Sequence, residues 1–146
     1  MAIKFYGKAG KFGEFSNFYY NPIKIDGIVY ITTEHYFQSM KYVTVNPEYA
    51  RKIDKANNPM QAATLGRNRR KPMRPDWEKI KDDVMRKALW EKFTQHPHLK
   101  ELLLSTGDEE IIENAPNDYY WGCGKKGSGK NMLGKLLVEL RGKLRA

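Results

Sequence analysis

The sequence predicts an α+β fold, a single mainly helical domain around a small sheet. Three observations carry that expectation. Apolar residues recur at three- and four-residue spacing through residues 76–95 and again through 131–145, the period of helices with one buried face. Pro47, Pro59 and Pro97 each stand where a helix would begin, a position at which the missing N–H is not needed. Signals for strands, by contrast, are few and short.

Taken in order, IKFY near the N-terminus is a first short strand candidate. IKIDGIVY (residues 23–30) reads as a hairpin, because Asp26-Gly27 supplies the positive φ angles of a type I′ turn between β-branched residues. Thr33 is the expected cap of the helix EHYFQSMKYV. Helices are expected after each of the three prolines. The longest starts at Asp76 and carries Trp77, Ile80, Val84, Ala88 and Leu89 on its inner stripe. EIIENA (residues 110–115) is a last short strand candidate. Asn131 is the expected cap of a final helix whose buried face is Leu133, Leu136, Leu137, Leu140 and Leu144, with Lys143 and Arg145 suited to its negative C-terminal end. No repeat, linker or low-complexity segment interrupts the chain, so residues 1–146 are expected to form one domain.

Composition narrows the function classes. The chain has 26 Lys and Arg against 17 Asp and Glu, a formal charge of +9. Its field favours anions, and phosphorylated metabolites and nucleic acid both qualify. No apolar run approaches the ~20 residues that span a bilayer, and MAIKFYGKAGKFGEF lacks a signal-peptide core. A cytoplasmic protein with no membrane partner is expected. Cys123 is the sole cysteine, so no internal disulfide can form. His96-Pro97-His98 and the isolated His35 lack the partners of a zinc site, and neither a metal nor a cofactor is expected.

Residues 124–130, GKKGSGK, fill the G-x-x-x-x-G-K part of a phosphate-binding P-loop. A working P-loop also needs a buried strand before it and a Ser or Thr after the lysine to hold Mg²⁺. Asn131 stands in place of the hydroxyl, and NAPNDYYWGC is no apolar strand. The triphosphatase reading therefore fails. What survives is a Gly-rich loop ahead of a helix, able to hold a phosphate or ribose by backbone N–H groups.

Two clusters carry candidate chemistry. In TEHYFQSMK, Glu34, Gln38 and Lys41 fall at i, i+4 and i+7 on one helical stripe. Such a stripe is normally solvated, but Tyr36, Phe37 and Met40 beside it favour burial, and a buried carboxylate facing an amine demands a reason. The second cluster, STGDEEIIENAPNDYYWGCG, offers Asp108, Glu113 and Asp118 around turns, with Trp121 as a stacking surface. Asp108 and Glu113 are equally well read as structural, whereas Asp118 and Trp121 lie on a loop, where binding groups concentrate. Ser16 and Asn17 in FGEFSNFYY fit either a packed strand end or a binding site.

The ordered set Ser16-Asn17-Phe18, Glu34-His35-Tyr36-Phe37-Gln38 with Lys41, Gly66-Arg67, Asp76-Trp77, Lys92-Phe93, Thr106-Gly107-Asp108, Glu113, Asp118, Trp121-Gly122, and Asn131 with Leu133-Gly134 resembles the YbiA-like, or NADAR, family. The match runs over nearly the whole chain. The resemblance implies a largely helical α+β N-glycosidase fold whose members act on ribosylated amines. One branch hydrolyses early riboflavin-pathway intermediates and releases ribose 5-phosphate; another removes ADP-ribose from guanine in nucleic acid. Carried onto this chain, it implies Glu34 and Asp118 as catalytic carboxylates and Trp77 and Trp121 as active-site aromatics, with Lys41, the candidate third catalytic group, in the same motif helix. Ser16, Asn17, Gln38, Arg67, Gly122 and Asn131 complete the implied substrate-binding set. The loop CGKKGSGKN is more basic than the family's, which leaves substrate size and charge open.

The residue chemistry agrees with that implication. Cleaving a ribose–nitrogen bond requires protonation of the leaving nitrogen or ring opening, and carboxylates such as Glu34 and Asp118 serve both. Lys41, if desolvated, can attack a ring-opened sugar and form an imine. Glu34 at a helix N-terminus is favoured in its ionised form. The expected function is hydrolysis of a phosphorylated ribosylamine. The alternatives are removal of ADP-ribose from guanine in DNA, and a non-catalytic module that binds ADP-ribose or NAD.

Overall fold

A computed structural model of the chain describes residues 2–7 and 10–146. In chain order its elements are β1 (Ile3–Phe5), a 3₁₀ turn (Gly13–Phe15), β2 (Ile23–Ile25), β3 (Ile28–Tyr30), α1 (Thr33–Met40), α2 (Pro47–Asp54), α3 (Pro59–Gly66), α4 (Trp77–Gln95), α5 (Pro97–Ser105), β4 (Ile111–Glu113) and α6 (Met132–Arg145). The fold is α+β and mainly helical, as the sequence predicts. Its strands form two separate two-stranded ladders, β1 with β4 and β2 with β3, where one small sheet was expected. Two compact units divide the chain, Tyr20–Gln95 and Met1–Tyr19 with His96–Ala146.

In the unit Tyr20–Gln95, β2 and β3 form the expected hairpin, pairing Ile23 with Tyr30 and Ile25 with Ile28. Asp26 and Gly27 take φ of 52° and 83°, the two positive values a type I′ turn requires. The hairpin buries Ile23, Ile25 and Tyr30 with Tyr36 of α1 and Ala88 of α4. A second cluster joins α2 and α3 to the end of α1 through Tyr42, Tyr49, Ala50, Ile53, Ala56 and Ala62. Pro47 and Pro59 open their helices behind asparagine caps: Asn46 accepts from the N–H of Tyr49 and Asn58 from that of Gln61. The cap of α1 is Thr32 rather than Thr33, because it is the Thr32 hydroxyl that reaches the N–H of His35.

In the other unit β1 and β4 pair in parallel, Ile3 opposite Ile111 and Phe5 opposite Glu113. Helix α6 lies close on β4. A Cβ added at Gly134 would come within 1.9 Å of the Ile111 carbonyl, so only glycine fits. Leu133, Leu136, Leu137 and Leu140 are buried as the periodicity predicts, and Leu144 is half-buried. Asn131 precedes α6 but does not cap it. Held at φ 53°, its side chain turns to β4, donating to the Ile111 carbonyl and accepting from the Glu113 N–H. Arg141, buried in the same helix, donates to the Thr106 hydroxyl and the Glu109 carbonyl, while Arg145 binds Asp108. The Thr106-Gly107-Asp108 turn is thus fastened to α6, a structural role.

Candidate active site

Helix α1 carries the Glu-Gln-Lys stripe, and the stripe is not solvated. Glu34 is 6% exposed and Gln38 2%. The Gln38 amide Nε2 donates to Glu34 Oε2 at 2.7 Å, the i, i+4 contact that the spacing allows. Its carbonyl Oε1 is enclosed and has no hydrogen-bond partner. That atom faces α3, where the position of a Cβ on Gly66 would be 2.0 Å away.

Lys41 closes the stripe just past the end of α1. Its Nζ donates to the Gly66 carbonyl at 3.2 Å and stands 5.9 Å from the ring centres of both Phe37 and Trp77. Those two rings meet edge to face, 5.0 Å apart, and Trp77 is buried. Burial lowers the Lys41 pKa from 10.5 to about 8; the Glu34 carboxylate opposes that shift and the Arg67 guanidinium adds to it. A lysine in that range supplies a substantial fraction of free amine near neutral pH. Arg67 itself is exposed at the end of α3. The last carbonyls of α3, left without partners by helix geometry, are satisfied by side chains: Tyr49 binds that of Leu65, and Tyr42 and Lys41 bind that of Gly66.

His35 lies between these groups in sequence and takes no part. Its Nε2 meets the Ala56 carbonyl at 3.1 Å and so carries the hydrogen, leaving Nδ1 to accept from the Thr32 hydroxyl at 2.8 Å. Burial lowers its pKa, in keeping with a neutral ring. It locks α1 to the end of α2.

The Gly-rich loop in the other unit is differently built. Asp118 Oδ1 accepts from the N–H groups of Tyr120 and Trp121 at 3.0 and 2.8 Å, an Asx-type turn that presents the half-exposed Trp121 indole edge-on to Tyr120. Five consecutive N–H groups, Gly129 to Leu133, donate to the carbonyls of Cys123, Tyr119, Gly122, Tyr120 and Trp121 in turn. These five N–H groups are therefore committed within the protein and are not available to hold a phosphate. A cavity of about 320 Å³ opens beside the loop, lined by Cys123, Gly129, Lys130, Asn131 and Lys135 among others. Its lining mixes the charges of Lys130 and Lys135 with that of Glu110. Gly122 is buried, with no room for a Cβ against Ala115, and the Ser16 hydroxyl accepts from the Phe18 N–H to close the turn that holds buried Asn17.

Of the residues singled out by sequence, Glu34, Gln38, Lys41 and Trp77, with Arg67 nearby, are brought together in one unit. Ser16, Asn17, Asp118, Trp121, Gly122 and Asn131 belong to the other. In the sequence Gly66 stood out only within the Gly66-Arg67 piece of the family resemblance; that Gln38, Lys41 and Tyr42 converge on it was missed. Among the described residues no group of three or more His, Cys, Asp or Glu is arranged to hold a metal ion, and no helix is long and apolar enough to cross a membrane.

The NADAR domain model matches residues 4–145. The chain belongs to the NADAR family. It is 49% identical over 142 residues to the N-glycosidase YbiA of Escherichia coli, covering 97% of this chain and 88% of that one. The NMR structure of E. coli YbiA matches with a TM-score of 0.91 at 48% identity, covering 99% of this chain and 84% of that chain. An N-glycosidase of Nostoc punctiforme is 40% identical, covering 99% of this chain and 94% of its own. The chloroplastic riboflavin biosynthesis protein PYRR of Zea mays is 41% identical, covering 97% of this chain but 25% of the maize protein. As a NADAR protein with such relatives over nearly its whole length, the chain is an enzyme, a hydrolase acting on N-glycosyl bonds. That sets aside the non-catalytic module.

Proposed function

We propose that this NADAR enzyme, acting as one cytoplasmic domain, hydrolyses the ribose–nitrogen bond of a phosphorylated ribosylamine of the kind formed early in riboflavin biosynthesis. Its products are ribose 5-phosphate and the free aminopyrimidine. The observation that carries this reading is Lys41, an amine with its pKa lowered to about 8, held on one helical stripe with a buried carboxylate and beside a buried indole. The maize relative's name supports the riboflavin connection.

The chemistry follows from those groups. In the ring-opened ribosylamine, C1′ is doubly bonded to the leaving nitrogen. Neutral Lys41 Nζ adds to C1′, the π pair moves to the leaving nitrogen, and Glu34 relays a proton to it. The C1′–N bond then breaks as Nζ forms its own double bond to C1′, and water hydrolyses this imine to the sugar aldehyde and free lysine. Trp77 and Trp121 supply stacking surfaces, contributing on the order of 1–3 kcal/mol each. Arg67 is assigned to the phosphate, and Ser16, Asn17 and Gly122 to the pocket. Asn131 is assigned to β4, since its amide is engaged there.

Incubation with ribosylaminopyrimidine phosphate should release ribose 5-phosphate, and borohydride should trap a sugar adduct on Lys41. Full turnover in Lys41→Ala with no adduct would exclude the imine; absence of any product would exclude the substrate. A second reading, ADP-ribosylated guanine in DNA, is favoured by exposed Arg67, Arg69, Arg70 and Lys71, which directly follow Gly66. A steep fall in affinity with rising salt would support it, because phosphate contacts release counterions.

A further inference from the structure

We infer that Gly66 and Gln38 are positioning residues that fix Glu34 and Lys41 to one point of reference, the C-terminal end of α3. The inference rests on the reading of Glu34 and Lys41 as reacting groups given above, and it deepens that reading.

Gln38 is poorly explained as a substrate contact. Its donor is committed to Glu34, and its acceptor Oε1 is enclosed against Gly66 without a partner. A turn of the amide would place a carbonyl oxygen where Nε2 now sits, 2.7 Å from a carboxylate oxygen, and the two would repel. The contact with the Glu34 oxygen thus fixes which way the Gln38 amide turns, and Glu34 in turn is held by Gln38.

Gly66 enforces the arrangement from the other side. It lies in a helix with no positive φ, so backbone freedom does not explain a residue that weakens helices. Space does. A Cβ there would fall 2.0 Å from Gln38 Oε1, 2.6 Å from Cδ and 2.8 Å from Cβ, displacing the amide. The same residue's carbonyl receives Lys41 Nζ at 3.2 Å and the Tyr42 hydroxyl at 3.1 Å. Two reacting groups seven residues apart on α1 are therefore both measured from Gly66. Burial is the largest influence on Lys41; the charged groups acting on it are Glu34, Arg67, Glu78 and Lys81, and Gln38→Leu and Gly66→Ala add or remove no charge among them.

The test compares Gln38→Leu, Gln38→Glu and Gly66→Ala on ribosylaminopyrimidine phosphate across pH. If the unaltered enzyme gives no product, the functional reading fails and the comparison moves to ADP-ribosylated guanine oligonucleotide. Given turnover, Gln38→Leu should lower kcat by about 10- to 100-fold with KM within about threefold, since the interaction lost orients a catalytic group. Gln38→Glu places two carboxylates in contact, which share one proton. Its protonated form still donates to Glu34, so at low pH its activity should stay close to that of the unaltered enzyme and then fall below it along a new limb as the pair loses its proton. Neither the unaltered enzyme nor Gln38→Leu should have that limb. Gly66→Ala should reproduce the kcat loss of Gln38→Leu. If it does not fold, the two Gln38 variants decide. An unchanged kcat in Gln38→Leu, a raised KM at constant kcat, or a Gln38→Glu profile without the new limb would overturn the inference.

Discussion

In helix α1 an amide oxygen is enclosed without a partner and a lysine binds its proton less tightly than a free one. From the end of the glycine loop into the first turn of α6 five successive N–H groups all find carbonyls, and Asn131 among them uses both halves of its amide on β4. The loop is the stretch whose sequence most resembles a phosphate cradle; the helix sets the Glu, Gln and Lys of a solvated face beside aromatic residues that favour burial. The structure turns the first against its own carbonyls and buries the second. The N–H groups of Gly129 to Leu133 are committed within the protein, whereas the α1 stripe holds a buried amide oxygen without a partner and a lysine of lowered pKa, the groups on which the proposed chemistry rests.

The comparison can be broken most forcefully at Lys41. Lys41→Met should abolish turnover, a loss of about 10²-fold or more, because it removes the proposed nucleophile. It should also make the protein more stable at pH 7, on the order of 1–2 kcal/mol, since a charge held in a poorly hydrated place is replaced by an apolar chain. The sign of the pH dependence follows from the folded pKa of about 8 lying below the ordinary 10.5. Below pH 8 the burial penalty is present in full; it fades as pH rises toward 10.5, where the unfolded chain also loses the proton. Denaturant unfolding at pH 7 and pH 10 should therefore show the stability gain of Lys41→Met shrinking with pH. A variant less stable than the parent at pH 7 would mean that Lys41 serves the fold.

A scaffold residue should behave in the opposite way. Asn131→Ala removes two hydrogen bonds to β4 and asks alanine to hold a φ of 53°. The expected loss is about 2–3 kcal/mol of unfolding free energy. Measured on the folded fraction, kcat should fall far less than in Lys41→Met. A large kcat loss with an unchanged unfolding midpoint would move Asn131 back into the site.

These contrasts also show which features sequence can reveal. The hairpin was legible because Asp26-Gly27 is a local signal, and the starts of α2, α3 and α5 because proline at the first helical position is another. The stripe Glu34, Gln38, Lys41 was legible because helical spacing alone aligns it. Its character was not, since burial comes from Trp77 and Gly66, residues of other elements. Asn131 was placed correctly at the start of α6 but given the wrong partner: local pattern points to the helix it precedes, and the strand it binds lies 18 and 20 residues upstream. The cap shifted from Thr33 to Thr32 for a similar reason, since two adjacent threonines are equivalent until one hydroxyl meets His35.

The smallest effect should come from the charges that made the loop conspicuous. Lys125 and Lys126 are exposed, and removing both should change stability by less than about 0.5 kcal/mol. Their influence, if any, is on the substrate. A compact phosphorylated ribosylamine held by the α1 cluster and Arg67 gains little from two solvated amines, so KM should move by less than about threefold at ordinary ionic strength, where the Debye length is about 8 Å. A DNA strand in contact with both would instead lose about two units from its log–log salt slope when they are replaced by alanine. Measuring that slope for Lys125→Ala/Lys126→Ala separates the two substrates by the loop's charge alone, because neither lysine belongs to the chemistry proposed for Lys41. An unchanged slope would leave the lysines as surface charge around a self-satisfied turn, and a reduced one would give the loop a function its backbone does not perform.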